Sequence, residues 1–159
     1  MAEERGAGSE GGAVAARSES VADDEPSMFQ RGHPAADLLG SWSWPVLQRT
    51  PGHLRVEASL PDRVRNRRGQ LFGGFTATYV DLVAAATVHD TLTGDGRVWL
   101  ATTSMRLEYL APVVGPAFVI DSRIVTTRGR TSVVDTRFLD DDGEVAVHAV
   151  TTFRVLPVA

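Results

Sequence analysis

One carboxylate, Asp81, stands in the stretch Leu71 to Val88, whose other side chains are apolar, small or uncharged. Burying an unpaired charge costs several kcal/mol and ordinarily pushes a carboxyl pKa upward, so an acid in such a place needs a reason. One reason is chemistry: a positioned carboxylate can take a proton from water or attack a carbonyl itself. Another is architecture, with Asp81 capping a neighbouring loop or pairing with an arginine, and spacing alone does not separate the two. Eight residues before it, Phe72-Gly73-Gly74 marks the place where a polar loop runs into the apolar stretch. Two glycines there let a ligand approach bare backbone, and free amides at a helix N-terminus attract an oxyanion. The same glycines would also serve a tight turn against a sheet. Asn66, in the loop before them, is a side-chain amide donor or a turn residue.

The elements that would hold these groups follow from pattern. Leu71 to Val88 is apolar or small on every side, which suits a helix wrapped by other elements better than one with a wet face. A membrane span is the competing reading, but Gly73-Gly74, three threonines and a central carboxylate count against it. His33 to Leu39 reads as a short amphipathic helix ended by Gly40. Pro45 to Gln48 and His53 to Leu60 read as a hairpin about Thr50-Pro51-Gly52. After a turn at Thr93-Gly94-Asp95-Gly96, Trp99, Ala101, Thr103, Met105, Leu107 and Tyr109 alternate as one face of a strand. The sets Phe118 to Ile124, Ser132 to Phe138 and Val145 to Val155 repeat the alternation, the last two joined at Asp141-Asp142-Gly143. Long neighbouring strands predict an antiparallel meander, and one buried helix beside it predicts an α+β layer arrangement with the sheet curled around the helix.

The chain as a whole narrows the classes. With 159 residues and 43% hydrophobic composition there is enough for one packed core. Residues 1–30 are rich in Gly, Ala, Ser and Glu and too poor in large apolar groups to offset ordering, so they read as a disordered tail before a domain at 31–159. The start Met-Ala-Glu-Glu-Arg-Gly lacks the basic and apolar regions of a secretory signal, and a cytoplasmic location is expected. The absence of cysteine excludes disulfides, thiolate metal sites and a Cys nucleophile. His89 and His148 have no metal-ligand spacing, so no metal and no cofactor are expected. A net charge of -4 without a basic stripe argues against nucleic acid.

The run from Asn66 through Gln70, Leu71, Phe72-Gly73-Gly74 and on to Asp81 resembles the signature of the PaaI-type hotdog thioesterases: Asn, loop, Gly, apolar residue, His-Gly-Gly, then a helix bearing Asp. Leu107 to Pro112 with Gly115 resembles the family's strand and following turn, and Arg128-Gly129-Arg130 and Asp142 to Ala146 fit its last hairpins in order, over residues 35–156. The resemblance implies a hotdog fold, a long central helix wrapped by an antiparallel sheet, and homodimers or tetramers with sites at the dimer interface. It implies an acyl-CoA or related thioester as substrate, with Asp81 as general base or nucleophile, the Gly73 amide polarising the carbonyl, and Asn66 holding the loop. A Ser or Thr on the next strand assists the water in some members; Thr102 matches first and Thr103 second, one register step apart. Phe72, Gly74 and Arg128 are the remaining substrate contacts expected, and Arg65, Arg67 and Arg68 are further candidates for nucleotide phosphates. Phe72 departs from the pattern, since it stands where the family has His. That departure keeps open a non-catalytic acyl-CoA-binding or regulatory protein on the same fold. A hotdog hydratase is disfavoured, because the chain has no Asp-x-Asn-Pro-x-His motif.

Helix geometry adds a constraint of its own. Gly73 and Asp81 are eight residues apart, about 12 Å along a helix, too far for one short side chain to serve a carbonyl bound at Gly73. If both act on one thioester, they come from different subunits related by a two-fold axis.

Overall fold

The computed structural model describes residues 29–92 and 98–157. The expected tail up to residue 28 and the expected turn Thr93 to Gly96 lie outside them. Phe29, assigned by composition to that tail, packs edge-on against Trp44 with ring centroids 6.0 Å apart.

Helix α1 spans Pro34–Leu39, with Pro at its first position and Gly40 at its end at φ 71°, a left-handed conformation suited to glycine. Strands β1 (Val46–Thr50) and β2 (His53–Ser59) form the hairpin expected around Pro51-Gly52. Helix α2 covers Gly73–His89, followed by β3 (Val98–Tyr109), β4 (Ala117–Arg128), β5 (Thr131–Leu139) and β6 (Val145–Pro157). All pairings are antiparallel, in a six-stranded sheet of order β1-β2-β4-β5-β6-β3 wrapped against α2. This is the hotdog arrangement.

The sheet is not the meander that chain order suggested. β4, β5 and β6 follow one another through short turns, but β3 pairs with β6 and lies at the far edge. The β3–β4 connection, Leu110 to Pro116, contains two prolines and Gly115 at φ 86°, so it is no tight hairpin and nothing obliges its flanking strands to pair.

The single face assigned to β3 also fails. Thr102 pairs with Phe153 and Ser104 with Thr152, which leaves Thr103 as an extra residue, a β-bulge. Before the bulge, Leu100 packs toward the Ala84, Ala85 and Val88 part of the core while Trp99 is 59% exposed. After it, Met105 and Leu107 are the residues packed on the core. One extra residue shifts a period-two pattern by half a period, so alternation read straight through merges two opposite faces.

Under the sheet the core centres on Tyr79, which stacks on Trp44 at 5.6 Å and meets Phe118 and Phe138 at 5.3 and 6.2 Å. Its hydroxyl donates to the Ser59 carbonyl, and burial pushes the phenol pKa well up from its ordinary value. The opposite face of the sheet carries charge: His53 and Arg123 meet Asp121, and Arg137 and His148 meet Asp135. Partial burial works against the Asp121 charge, but Arg123 and His53 outweigh it and hold that carboxyl below the usual range.

Candidate active site

The loop before α2 is held by its own polar groups. Asn66 accepts from the amides of Arg68 and Gln70 at 2.9 and 3.2 Å, a side-chain turn that folds the loop back on itself, with Gly69 at φ 74°. Arg65 binds three carbonyls, those of Leu60, Gly69 and Gly115, at 2.6 to 3.1 Å. Its guanidinium is therefore occupied, which removes Arg65 from the candidate phosphate contacts, whereas Arg67 and Arg68 are exposed. The sequence reading missed this staple because its three acceptors are backbone atoms scattered along the chain.

Helix α2 begins one residue beyond Phe72, whose side chain makes no capping hydrogen bond. The Phe72 amide is taken by the Val64 carbonyl and the Phe75 amide by the Phe72 carbonyl. Gly73 and Gly74 lie exposed between them. Phe72 is 51% exposed and its ring folds back over Gly74, so close that a Cβ there would sit 2.7 Å from Cε1. Tyr109, at the end of β3, lies beside Gly73 and donates to the Gly73 carbonyl at 2.9 Å.

Two turns further on, Asp81 is half-buried on the side of α2 that the sheet leaves open. The Thr102 hydroxyl donates to its Oδ1 at 2.6 Å. Thr103, the bulged neighbour, donates instead to the Thr152 carbonyl at 3.1 Å. The bulge thus settles which of the two threonines meets the carboxylate. Among the described residues, no group of three or more His, Asp or Glu side chains is arranged to hold a metal, and no helix is long and apolar enough to cross a membrane.

One subunit brings Asp81 to Thr102 and, separately, Phe72, Gly73 and Gly74 to Tyr109 and the Asn66 loop. It does not bring these two groups together, since about 12 Å of helix lies between them. Arg128 is farther still: it ends β4 beside Thr131, whereas Gly115 and the Asn66 loop stand at the opposite end of the sheet. His148 and His89 take no part, the first bonded to Asp135 and the second at the last position of α2.

This fold and this helix define a class. Residues 68–147, half of the chain, match the model of the thioesterase superfamily, and the chain belongs to that family. It is 25% identical over 114 residues to a protein of Saccharolobus solfataricus provisionally named an esterase, covering 70% of this chain and 77% of that one. A thioesterase variant from Pseudomonas aeruginosa superposes with a TM-score of 0.70 at 18% identity, covering 86% of this chain and 98% of that chain. A hypothetical thioesterase protein of Streptococcus pneumoniae, solved with coenzyme A, superposes at 0.64 with 20% identity, covering 73% and 88%. A Streptococcus mutans protein bound to acetyl-CoA gives 0.63 and 23%, covering 72% and 90%.

Proposed function

We propose that this protein is a PaaI-type thioesterase that hydrolyses an acyl-CoA or related acyl thioester to free acid and thiol. The observation that carries the reading is the Thr102–Asp81 hydrogen bond, on the open side of a helix in which no other Asp, Glu, Lys or Arg occurs. Thr102 donates to Oδ1 and leaves Oδ2 for a water. With the thioester oxygen on the Gly73 amide, Asp81 takes the proton as that water attacks, and the C–S bond then breaks to release the thiolate, which is protonated as it leaves. Alternatively Asp81 attacks the carbonyl itself, expelling the thiolate to form an anhydride that water hydrolyses to the free acid and the restored carboxylate. The coenzyme A and acetyl-CoA held by the two streptococcal neighbours support a coenzyme A thioester as the substrate class.

Gly73 and Asp81 then belong to different subunits of a homodimer. Antiparallel helices that bring Gly73 of one chain to Asp81 of the other cross midway, at Ala77. Around that point Gly74, Ala77 and Thr78 are small and only partly covered, which lets two helices approach closely. The same pairing carries each Arg128, at the end of β4, toward the other subunit's Gly73 end, which a contact between Arg128 and that site's substrate requires.

Phe72 favours a second reading, an acyl-CoA-binding or regulatory protein, because no imidazole assists at the helix start. Thiol release from a panel of acyl-CoAs, followed with a thiol-reactive dye, separates the two. Hydrolysis is expected; tight binding without thiol release would establish the binder. The shared site is tested by mixing Asp81→Asn with an Asn66→Ala variant under conditions of verified subunit exchange. Heterodimers carry one site with both lesions and one with neither, so activity should return, and no recovery would reject the arrangement.

A further inference from the structure

Tyr109 is 56% exposed, so its place is not explained by burial, yet its hydroxyl is fixed on one backbone oxygen, that of Gly73. That oxygen shares its peptide unit with the amide of Gly74. As the first residue of α2, Gly73 already offers its carbonyl to the helix ladder, and the phenol occupies the oxygen's second lone pair. A donor on a peptide oxygen draws electron density from the peptide nitrogen and strengthens the N–H as a donor in turn.

The surroundings make that help useful. Two consecutive glycines give the first turn little stiffness, and Phe72 supplies no side-chain acceptor to cap it. Since the amides of Phe72 and Phe75 are engaged by carbonyls, the donors this turn presents to a ligand are those of Gly73 and Gly74. A Cβ at Gly73 would lie 3.7 Å from the Tyr109 ring, so ring and glycine are in ordinary contact beside the hydroxyl's hydrogen bond.

We propose that Tyr109 is a positioning residue for thioester hydrolysis: its hydroxyl holds and polarises the Gly73–Gly74 peptide, so that the Gly74 amide joins that of Gly73 in binding the thioester oxygen. The proposal rests on the thioesterase reading above. It makes β3 the support of both halves of the chemistry, Thr102 on the carboxylate and Tyr109 on the donor peptide.

The test is Tyr109→Phe in the full chain, which keeps the ring and removes only the hydroxyl. An oxyanion donor is worth about 10²- to 10³-fold in turnover, and hydrogen-bond cooperativity changes a donor's strength by about 10–30%, so kcat should fall about two- to eightfold. KM should stay within about twofold, because the interaction grows as charge develops on the oxygen. In the ¹⁵N-labelled protein the Gly74 amide nitrogen should move upfield while amides in the second half of α2 stay in place. Unchanged kcat beside an active wild type would overturn the role of Tyr109 and leave the thioesterase reading standing. So would an unmoved Gly74 resonance, or a fall in melting temperature beyond about 4 °C with activity regained on cooling. A wild type that hydrolyses no acyl-CoA would overturn both.

Discussion

The two halves of α2 are built from the same kinds of residue and live in different surroundings. From Leu82 to Val88 every side chain is buried, with Ala84 at 0% exposure against Val134 and Phe153. From Gly73 to Asp81 one side stays open: the glycines are exposed, and Phe75, Ala77, Thr78 and Asp81 are half-buried. What differs is how far the sheet wraps, not the pattern of the helix. A carboxylate at residue 81 keeps access to water and a hydroxyl partner, whereas three residues on it would be sealed from water. Position along an otherwise uniform helix therefore decides where an acid can be kept.

Moving the acid breaks this comparison most severely. Ala84→Asp places a carboxylate in the sealed half, at a cost of several kcal/mol, on the order of a small domain's whole stability. Loss of the cooperative melt by circular dichroism is expected; a melt near wild type would mean the two halves are not distinct. Asp81→Asn should leave the melt nearly unchanged while turnover falls at least about a hundredfold, the scale of a lost general base. Near-normal thiol release from that variant would reduce Asp81 to a structural role. Thr102→Val sharpens the point by removing the donor and keeping the shape. A hydrogen bond to a charged group is worth about 1.5–3 kcal/mol, so turnover should drop about ten- to a hundredfold, and Thr103→Val should drop it far less. Equal losses in the two variants would contradict the bulge. Phe72→His, which gives the open half the imidazole of the related pattern, should raise turnover about two- to twelvefold, one net hydrogen bond. An unchanged or lower rate would show a site built around the phenyl ring.

What could be read from the chain alone follows the range of the forces concerned. Helix α2, the β1–β2 hairpin and the inward faces of β4, β5 and β6 are written in local period and turn chemistry, and they stand where the pattern put them. Asp81 was conspicuous because a charge in an apolar run is costly wherever the run folds. The place of β3 was not legible, since strand order depends on long-range pairing and neighbours in sequence need not be neighbours in a sheet. Its bulge was hidden too, because Trp99 to Tyr109 keep an unbroken alternation on paper. Phe29 looked like tail by composition, and only its contact with Trp44 assigns it to the folded part. The Tyr109 hydroxyl was invisible for the same reason as the Arg65 staple: its partner is a backbone oxygen, identical at every residue.

The bulge also bears on chain length. Because Thr102 and Ser104 already pair with consecutive residues of β6, Thr103 can be lost with every inward side chain still inward. A chain one residue shorter there would keep Leu100 and Thr102 on one side and Met105 and Leu107 on that same side, in a straighter strand. When this chain is lined up against another that lacks the extra residue, the gap belongs at 103. Moved one place toward the start of the strand, it would set the wrong threonine opposite Asp81 and exchange a group bonded to a carboxylate for one bonded to its own sheet.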